Sequence, residues 1–207
     1  MNAVAITSDG RLILSGGDDK TVLVWEAASG IVLFTHRKHT GKVQTVAWSP
    51  DGRYIASGSD DKTVQVWMPI KAKSGFFNMI APIRSELLYR GHSAKVNALM
   101  WSPNGQRLAS VGADKTLQVW NASSGKKYFI YRNSNASLNA VAWSPDSRFI
   151  ASGGNDKMVQ IWDSTTRHSL STYHGHTAFV TAVSWSPDGR LLASASVDRS
   201  VQVWEKR

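Results

Sequence analysis

Apolar and polar positions alternate along this chain with a period near two, in short runs that are each broken by turn residues. Val43-Gln44-Thr45-Val46-Ala47-Trp48 runs straight into Ser49-Pro50-Asp51-Gly52, the pattern of a half-buried strand entering a tight turn. Tyr54-Ile55-Ala56-Ser57 then leads through Gly58 to Lys62 into Thr63-Val64-Gln65-Val66-Trp67, with β-branched residues concentrated where a pleated surface buries them. After a Ser-Gly break such as Ala28-Ser29-Gly30 comes a fourth run, Ile31-Val32-Leu33-Phe34. The pattern predicts four short antiparallel strands per unit.

The unit repeats. Trp25, Trp67, Trp120, Trp162 and Trp204 are spaced by 42, 53, 42 and 42 residues, and Trp48, Trp101, Trp143 and Trp185 by 53, 42 and 42. Both series carry the same 11-residue excess between Trp67 and Trp101, as one insertion into a strict period produces. A four-stranded sheet of this size cannot cover both of its apolar faces, so consecutive sheets must stack around an axis. The expected fold is all-β, a β-propeller of five four-stranded blades, the last lacking its outer strand. A sandwich needs two different sheets and no fixed period.

Composition adds exclusions. With 207 residues, 42% of them hydrophobic and 19% charged, the chain is outside the disordered class and long enough to bury a core. The absence of cysteine removes disulfide scaffolds, thiolate metal sites and cysteine nucleophiles. Met1 to Gly10 carries no secretory signal pattern, and no apolar run approaches the ~20 residues of a spanning helix. A soluble, cytoplasmic protein without membrane association is expected.

The strings Ser49-Pro50-Asp51-Gly52, Ala56-Ser57-Gly58-Ser59-Asp60-Asp61-Lys62-Thr63 and Gln65-Val66-Trp67, with Gly91-His92 and Gly175-His176 opening later units, resemble the WD-repeat family. The resemblance recurs five times and covers the chain outside the insertion. It divides the single domain 1–207 into blades at 1–37, 38–90 with the insertion at about 71–84, 91–132, 133–174 and 175–207. The naming dipeptide is kept at Trp162-Asp163 and replaced at Trp25-Glu26, Trp67-Met68, Trp120-Asn121 and Trp204-Glu205.

The resemblance implies a hydrogen-bonded set in each blade that joins a turn Asp, the His opening the unit, a strand Ser and the strand Trp. Carried over by position, the second blade has His39, Ser57, Asp61 and Trp67, the third His92, Ser110, Asp114 and Trp120, and the fifth His176, Ser194, Asp198 and Trp204. The fourth has Ser152, Asp156 and Trp162 with Ser134 at the His position, and the first has Ser15, Asp19 and Trp25. Ser, His and Asp within reach of one another can activate a nucleophile. A set repeated in every unit beside a core Trp instead suits satisfaction of buried polar groups.

No phosphate loop, dinucleotide fingerprint, zinc-protease motif or nucleophile elbow is present, and no cofactor is implied. His36 with His39, and His174 with His176, lack a third ligand at suitable spacing, so no metal site is expected. His36 aligns with Tyr89, Tyr131 and Tyr173 as a large residue ending the fourth strand.

The net charge of +9 raises nucleic acid or an acidic partner. Much of it is spread once per blade, at Asp19-Lys20 and its equivalents and at Arg11, Arg53, Arg148 and Arg190. An even spread suits a solvated surface, and the concentrated stripe of a nucleic-acid binder is missing. One local cluster, Arg37, Lys38 and Lys42, could seat an acidic segment. The insertion is apolar for a loop, and Phe76, Phe77 and Ile80 are candidates for a partner-binding patch.

The expected function is that of a non-enzymatic interaction scaffold presenting loop residues to protein or peptide partners. Lys42, Lys95, Ser137 and Phe179 are equivalent positions, as are Asp60, Ala113, Asn155 and Val197; of these, Lys42, Lys95, Phe179 and Val197 are the candidate contacts. The first strand begins at Asn2 and the third strand of blade five ends at Trp204, giving nineteen strands where five blades need twenty. Rings of the resembled family commonly have about seven blades, so the array is a piece of a longer propeller, an unusual five-bladed ring, or half of a ten-bladed ring closed head to tail by two copies, and a homo-oligomer of this last kind is the favoured expectation. A purely structural assembly repeat is the alternative function; a hydrolase using the channel lacks a polar constellation unique to one blade.

Overall fold

Period-two alternation produces strands throughout, and Gly, Asp and Ser at the breaks turn them back antiparallel. The computed structural model describes residues 1–71, 80–81, 86–132 and 135–205, and the fold is all-β. The first sheet runs β1 (Ala3–Ile6), β2 (Leu12–Gly16), β3 (Val22–Glu26) and β4 (Val32–His36) in sequential order. The second is built from β5 (Val43–Trp48), β6 (Ile55–Ser59), β7 (Val64–Trp67) and, past the insertion, β10 (Glu86–Tyr89). The third comprises β11 (Val96–Trp101), β12 (Arg107–Gly112), β13 (Leu117–Asn121) and β14 (Lys127–Tyr131), and the fourth β15 (Leu138–Trp143), β16 (Phe149–Gly154), β17 (Met158–Asp163) and β18 (His168–His174). The fifth has three strands, β19 (Val180–Trp185), β20 (Leu191–Ser196) and β21 (Val201–Glu205). These are the expected nineteen. Two further short strands, β8 (Ile70–Lys71) and β9 (Ile80–Ala81), pair with each other inside the insertion. Phe76 and Phe77 lie outside the described residues, as do Ser134 and the side chain of Ile80.

The chain divides into two compact units, Met1–Val96 with Ser123–Gly125, and Asn97–Ala122 with Lys126–Arg207. In the first, Val22 and Val24 of β3 pack with Val43 and Val46 of β5 around Leu14, Ile55 and Trp67. In the second, Leu117 and Val119 of β13 pack with Leu138 and Val141 of β15, and Val159 and Ile161 of β17 with Val180 of β19. Each of these three junctions therefore sets the second and third strands of one blade against the first strand of the next. Complete burial of each Val, Leu or Ile contributes roughly 1.5–3 kcal/mol.

Two backbone devices recur. The inner strand bulges at Gln44, Asn139 and Thr181, where register slips between Val43 and Thr45, Leu138 and Ala140, and Val180 and Ala182. A bulge re-aims a side chain, and Asn139 Nδ2 accordingly reaches the Val180 carbonyl of the next blade at 3.1 Å. Asn2 and Asn97 make the same bond across their junctions, to Val43 O at 3.1 Å and Leu138 O at 2.7 Å. In the turns after the second strand, Lys20, Lys62, Lys115, Lys157 and Arg199 all take left-handed φ between 65° and 71°. The side chain of the preceding Asp bonds the amide one residue beyond the basic residue, as in Asp61 Oδ1 with Thr63 N at 2.9 Å, and this Asx-type contact offsets the strain of that conformation.

Candidate functional site

In the second and fifth blades the Asp of the second turn is fixed by its own loop, which brings it against the His opening the blade. In the fifth blade the chain of contacts is complete. His176 Nδ1 lies 2.9 Å from Asp198 Oδ2, His176 Nε2 lies 2.8 Å from Ser194 Oγ, and Trp204 Nε1 donates to that same Oγ at 2.8 Å. The Ser200 hydroxyl, first, and then the Thr177 amide and His176 hold the Asp198 carboxyl well below the usual range, against the opposing effect of desolvation. In the second blade His39 Nδ1 meets Asp61 Oδ2 at 2.7 Å and Nε2 meets Ser57 Oγ at 2.8 Å. Burial works against ionisation of Asp61, but the Thr63 hydroxyl, His39 and the Thr40 amide prevail and lower its pKa.

Trp67 stands apart from the second set, because its Nε1 is buried with no hydrogen-bond partner among the described residues. In the first and fourth blades the Trp to Ser link is made, Trp25 to Ser15 at 2.8 Å and Trp162 to Ser152 at 3.0 Å. Asp19 and Asp156 bond the amides two residues on, Thr21 N and Met158 N, both at 3.2 Å. In the third blade His92 and Ser110 are buried, and Asp114 accepts from the Thr116 hydroxyl at 2.8 Å. All of these Ser side chains are buried, and the rings of His39 and His176 are fully enclosed.

One relationship escaped the sequence reading. At three of the outer strands the large closing residue packs its ring on the third-strand Trp of the following blade: His36 stacks on Trp67 at 4.5 Å, Tyr131 stacks on Trp162 at 4.1 Å, and Tyr173 lies tilted against Trp204 at 4.7 Å. The constant 31-residue separation was the available signal. His36 also bonds Gln65 Oε1 through Nε2 at 2.7 Å, while His174 is exposed and His176 buried. Tyr131 donates to Asp163 O at 3.1 Å, and burial together with the Asp163 charge raises its pKa.

The loop positions come together in pairs. Asp60 N donates to Lys42 O at 2.9 Å, Asn155 N to Ser137 O at 2.8 Å and Val197 N to Phe179 O at 2.9 Å. The backbone is held alike in all three blades while the side chains change. Phe179 and Val197 are 48% and 58% exposed, so the fifth blade presents an apolar pair where the others present polar ones. Arg37, Lys38 and Lys95 are exposed as well. Lys42 is engaged: its Nζ meets Asp18 Oδ2 of the first blade at 2.5 Å, which takes one member out of the basic cluster.

Two comparisons bear on this geometry. The family pattern described as WD domain, G-beta repeat, matches residues 1–26, 30–68, 83–121, 125–163 and 167–205. Among curated proteins, WD repeat-containing protein slp1 of Schizosaccharomyces pombe is 28% identical over 123 residues, covering 58% of this chain and 23% of that protein. Cell division cycle 20.1, cofactor of APC complex, of Arabidopsis thaliana is 30% identical over 122 residues, 56% of this chain and 23% of that protein. Protein HIRA of Zea mays is 32% identical over 141 residues, 59% of this chain and 14% of that protein. The alignments thus span less than a quarter of each of these relatives.

Proposed function

The chain belongs to the WD domain, G-beta repeat, family, and from that premise we propose that it is a non-enzymatic interaction scaffold whose blade loops engage protein or peptide partners. The observation that carries this reading is the set of loop pairs on one backbone frame. A frame repeated with fixed hydrogen bonds and changing side chains suits recognition, since a rigid element sets the position and the side chain sets the chemistry. Phe179 with Val197 is the pair of this set best suited to an apolar contact, and aromatic anchors commonly dominate binding energy.

The buried Asp, His and Ser sets belong to the frame in this reading. The hydroxyls of Ser15, Ser57, Ser152 and Ser194 each serve one or two ring nitrogens and, like Ser110, lie away from solvent, whereas a nucleophile requires an approach for its substrate. Relatives such as the cofactor of the APC complex carry names that speak of assembly with other proteins, which supports the same class of role.

Photo-crosslinking tests it. A photoreactive phenylalanine analogue at position 179 or 197 is expected to capture a discrete protein in the source cells, and an analogue at exposed Lys157 is not. Loss of that crosslink at position 197 on Phe179→Asp supports the reading. Equal capture from position 157, or a crosslink insensitive to Phe179→Asp, overturns it.

A second reading, association through the sheet faces themselves, is favoured by a specific exposure. Val201 and Val203 of β21 are 70% and 63% exposed, while the equivalent Val159 and Ile161 of β17 are 0% and 1%. Val4 and Ile6 of β1 are likewise exposed. Strips of this kind are blade-seating surfaces elsewhere in the chain, and further blades, in a second copy for example, would cover them.

A further inference from the structure

Part of the charge surplus is concentrated in one blade. Within the second unit, residues 97–122 and 126–132 carry Arg107, Lys115, Lys126, Lys127 and Arg132 against Asp114 alone, in a chain whose net charge is +9. Asp114 belongs to the second turn, where it accepts from the Thr116 amide and hydroxyl at 3.1 and 2.8 Å. The first-turn end of this blade therefore has no carboxylate of its own.

The repeat supplies an internal control. Asn104 stands where the other blades have Asp9, Asp51, Asp146 and Asp188. It closes its turn with the same bonds, accepting from the Ser102 hydroxyl at 2.7 Å and the Gln106 amide at 3.1 Å, as Asp188 accepts from Ser186 and Arg190 at 2.5 and 3.0 Å. Asn121 likewise replaces Glu26, Asp163 and Glu205. Both exchanges remove a negative charge, the first without loss of a hydrogen bond. Arg107 takes a position held elsewhere by Leu12, Tyr54, Phe149 and Leu191. Its guanidinium lies 4.8 Å over the Tyr128 ring and donates to Ser164 Oγ at 3.1 Å, while its Nε is buried without a partner among the described residues.

Beside Arg107 runs β14 (Lys127–Tyr131), the outer strand of its sheet, which pairs with β13 on one side only. Lys127 opens the strand and Arg132 follows it; both are exposed, and neither forms an ion pair among the described residues. Asp163, next to Ser164, is 1% exposed and is taken by Arg148 and by the amides of Thr165 and Thr166. The unpaired N–H and C=O groups of an edge strand can accept another strand, and cations at both ends select which one. A second copy of β14 laid antiparallel would bring Lys127 against Arg132. A nucleic acid has no strand backbone to offer the edge, and one face of the Tyr128 ring, on which a base would stack, is covered by Arg107.

We propose that β14 is a docking edge for an extended acidic segment of a partner protein, which adds as a further strand and sets carboxylates against Arg107, Lys127 and Arg132. This rests on the reading of the chain as an interaction scaffold but uses none of the loop pairs, so Phe179→Asp should leave it unchanged and the two can fail separately.

The test is calorimetric titration of the full chain with four probes: the peptide Glu-Glu-Thr-Val-Thr-Val-Glu-Glu, its counterpart with glutamine for glutamate, the acidic peptide N-methylated at its central residues, and an oligothymidylate of the same length. The acidic peptide is expected to bind more tightly than the other three by about tenfold or more, the worth of one charge-assisted hydrogen bond. Lys127→Glu with Arg132→Glu should remove that preference while circular dichroism and the melting temperature stay unchanged, since both side chains are exposed. Arg107→Leu, which installs the residue of blades one and five, should weaken the acidic peptide by about threefold or more, and Lys157→Gln, in the second turn of blade four, should leave it unchanged. Equal binding of the glutamate and glutamine peptides, no binding of either, undiminished binding of the N-methylated peptide, tighter binding of the oligothymidylate, or a preference that survives the double charge reversal would overturn the proposal.

Discussion

At Ser194 one buried hydroxyl lies between two ring nitrogens, Nε2 of His176 and Nε1 of the half-buried Trp204, both at 2.8 Å. The equivalent Ser57 contacts only His39 among the bonds described, since Trp67 Nε1 is without a partner there. Leaving a buried donor or acceptor unsatisfied costs about 1–3 kcal/mol each. Ser194→Ala is therefore expected to lower unfolding stability by about 2–4 kcal/mol, and Ser57→Ala by less. Urea denaturation of the two variants measures the difference; equal losses would show that the Trp link contributes nothing. The Asp, His, Ser and Trp positions were legible in the sequence through the family resemblance. That Trp67 drops out was not, because the bond depends on where an indole settles, and His36 stacks on this ring at 4.5 Å.

Among elements, the junction between blades follows a size rule that spacing alone did not display. A Cβ added at Gly16 would stand 2.6 Å from Val43 Cγ1, and one at Gly153 would stand 2.5 Å from Val180 Cγ1. The equivalent position in blade three is Val111, and the residue arriving from the next blade is Leu138 in the same buried cluster. A glycine thus receives a β-branched valine, and a valine receives a leucine, whose branch lies one carbon further out. Overpacking a fitted core costs about 1–3 kcal/mol, and more where the backbone must move. Gly153→Val should destabilise the chain by about 3 kcal/mol or more, and adding Val180→Leu should recover part of that loss. A thermodynamic double-mutant cycle reads the coupling; strictly additive effects would contradict the rule. The Asn side chains that cross each junction belong to the same scale. Their residue type was visible in the sequence, but their aim is set at Asn139 by a bulge that alternation does not reveal.

On the scale of the whole molecule, the informative contrast is between equivalent residues with different cover. Val203 is 63% exposed and Ile161 is 1% exposed, though each strand pairs with the second strand of its blade in the same register. Sheet faces of this kind are stable in water only at the cost of leaving apolar area hydrated, about 25 cal/mol per Å². Val201→Lys with Val203→Glu is expected to leave monomer stability within about 0.5 kcal/mol, as for exposed sites generally. If further blades cover this face, the double variant should also shift the mass measured by analytical ultracentrifugation to that of the 22.7 kDa monomer. A mass that is monomeric before and after substitution would remove the association reading for this chain.

The sequence by itself determined the strands, their grouping in fours and the blade period, because alternation and turn chemistry are local and the 42-residue spacing of tryptophans repeats them. It also determined which polar residues recur, since recurrence is a property of spacing. Only the tertiary structure decided which of those residues meet: the stacking of Tyr131 on Trp162, the pairing of Phe179 with Val197 and the Lys42 to Asp18 ion pair. The physical reason is that each of these depends on contact between segments far apart in the chain. A hydrogen bond or a stack is fixed by distances of a few ångströms, which packing sets and periodicity does not.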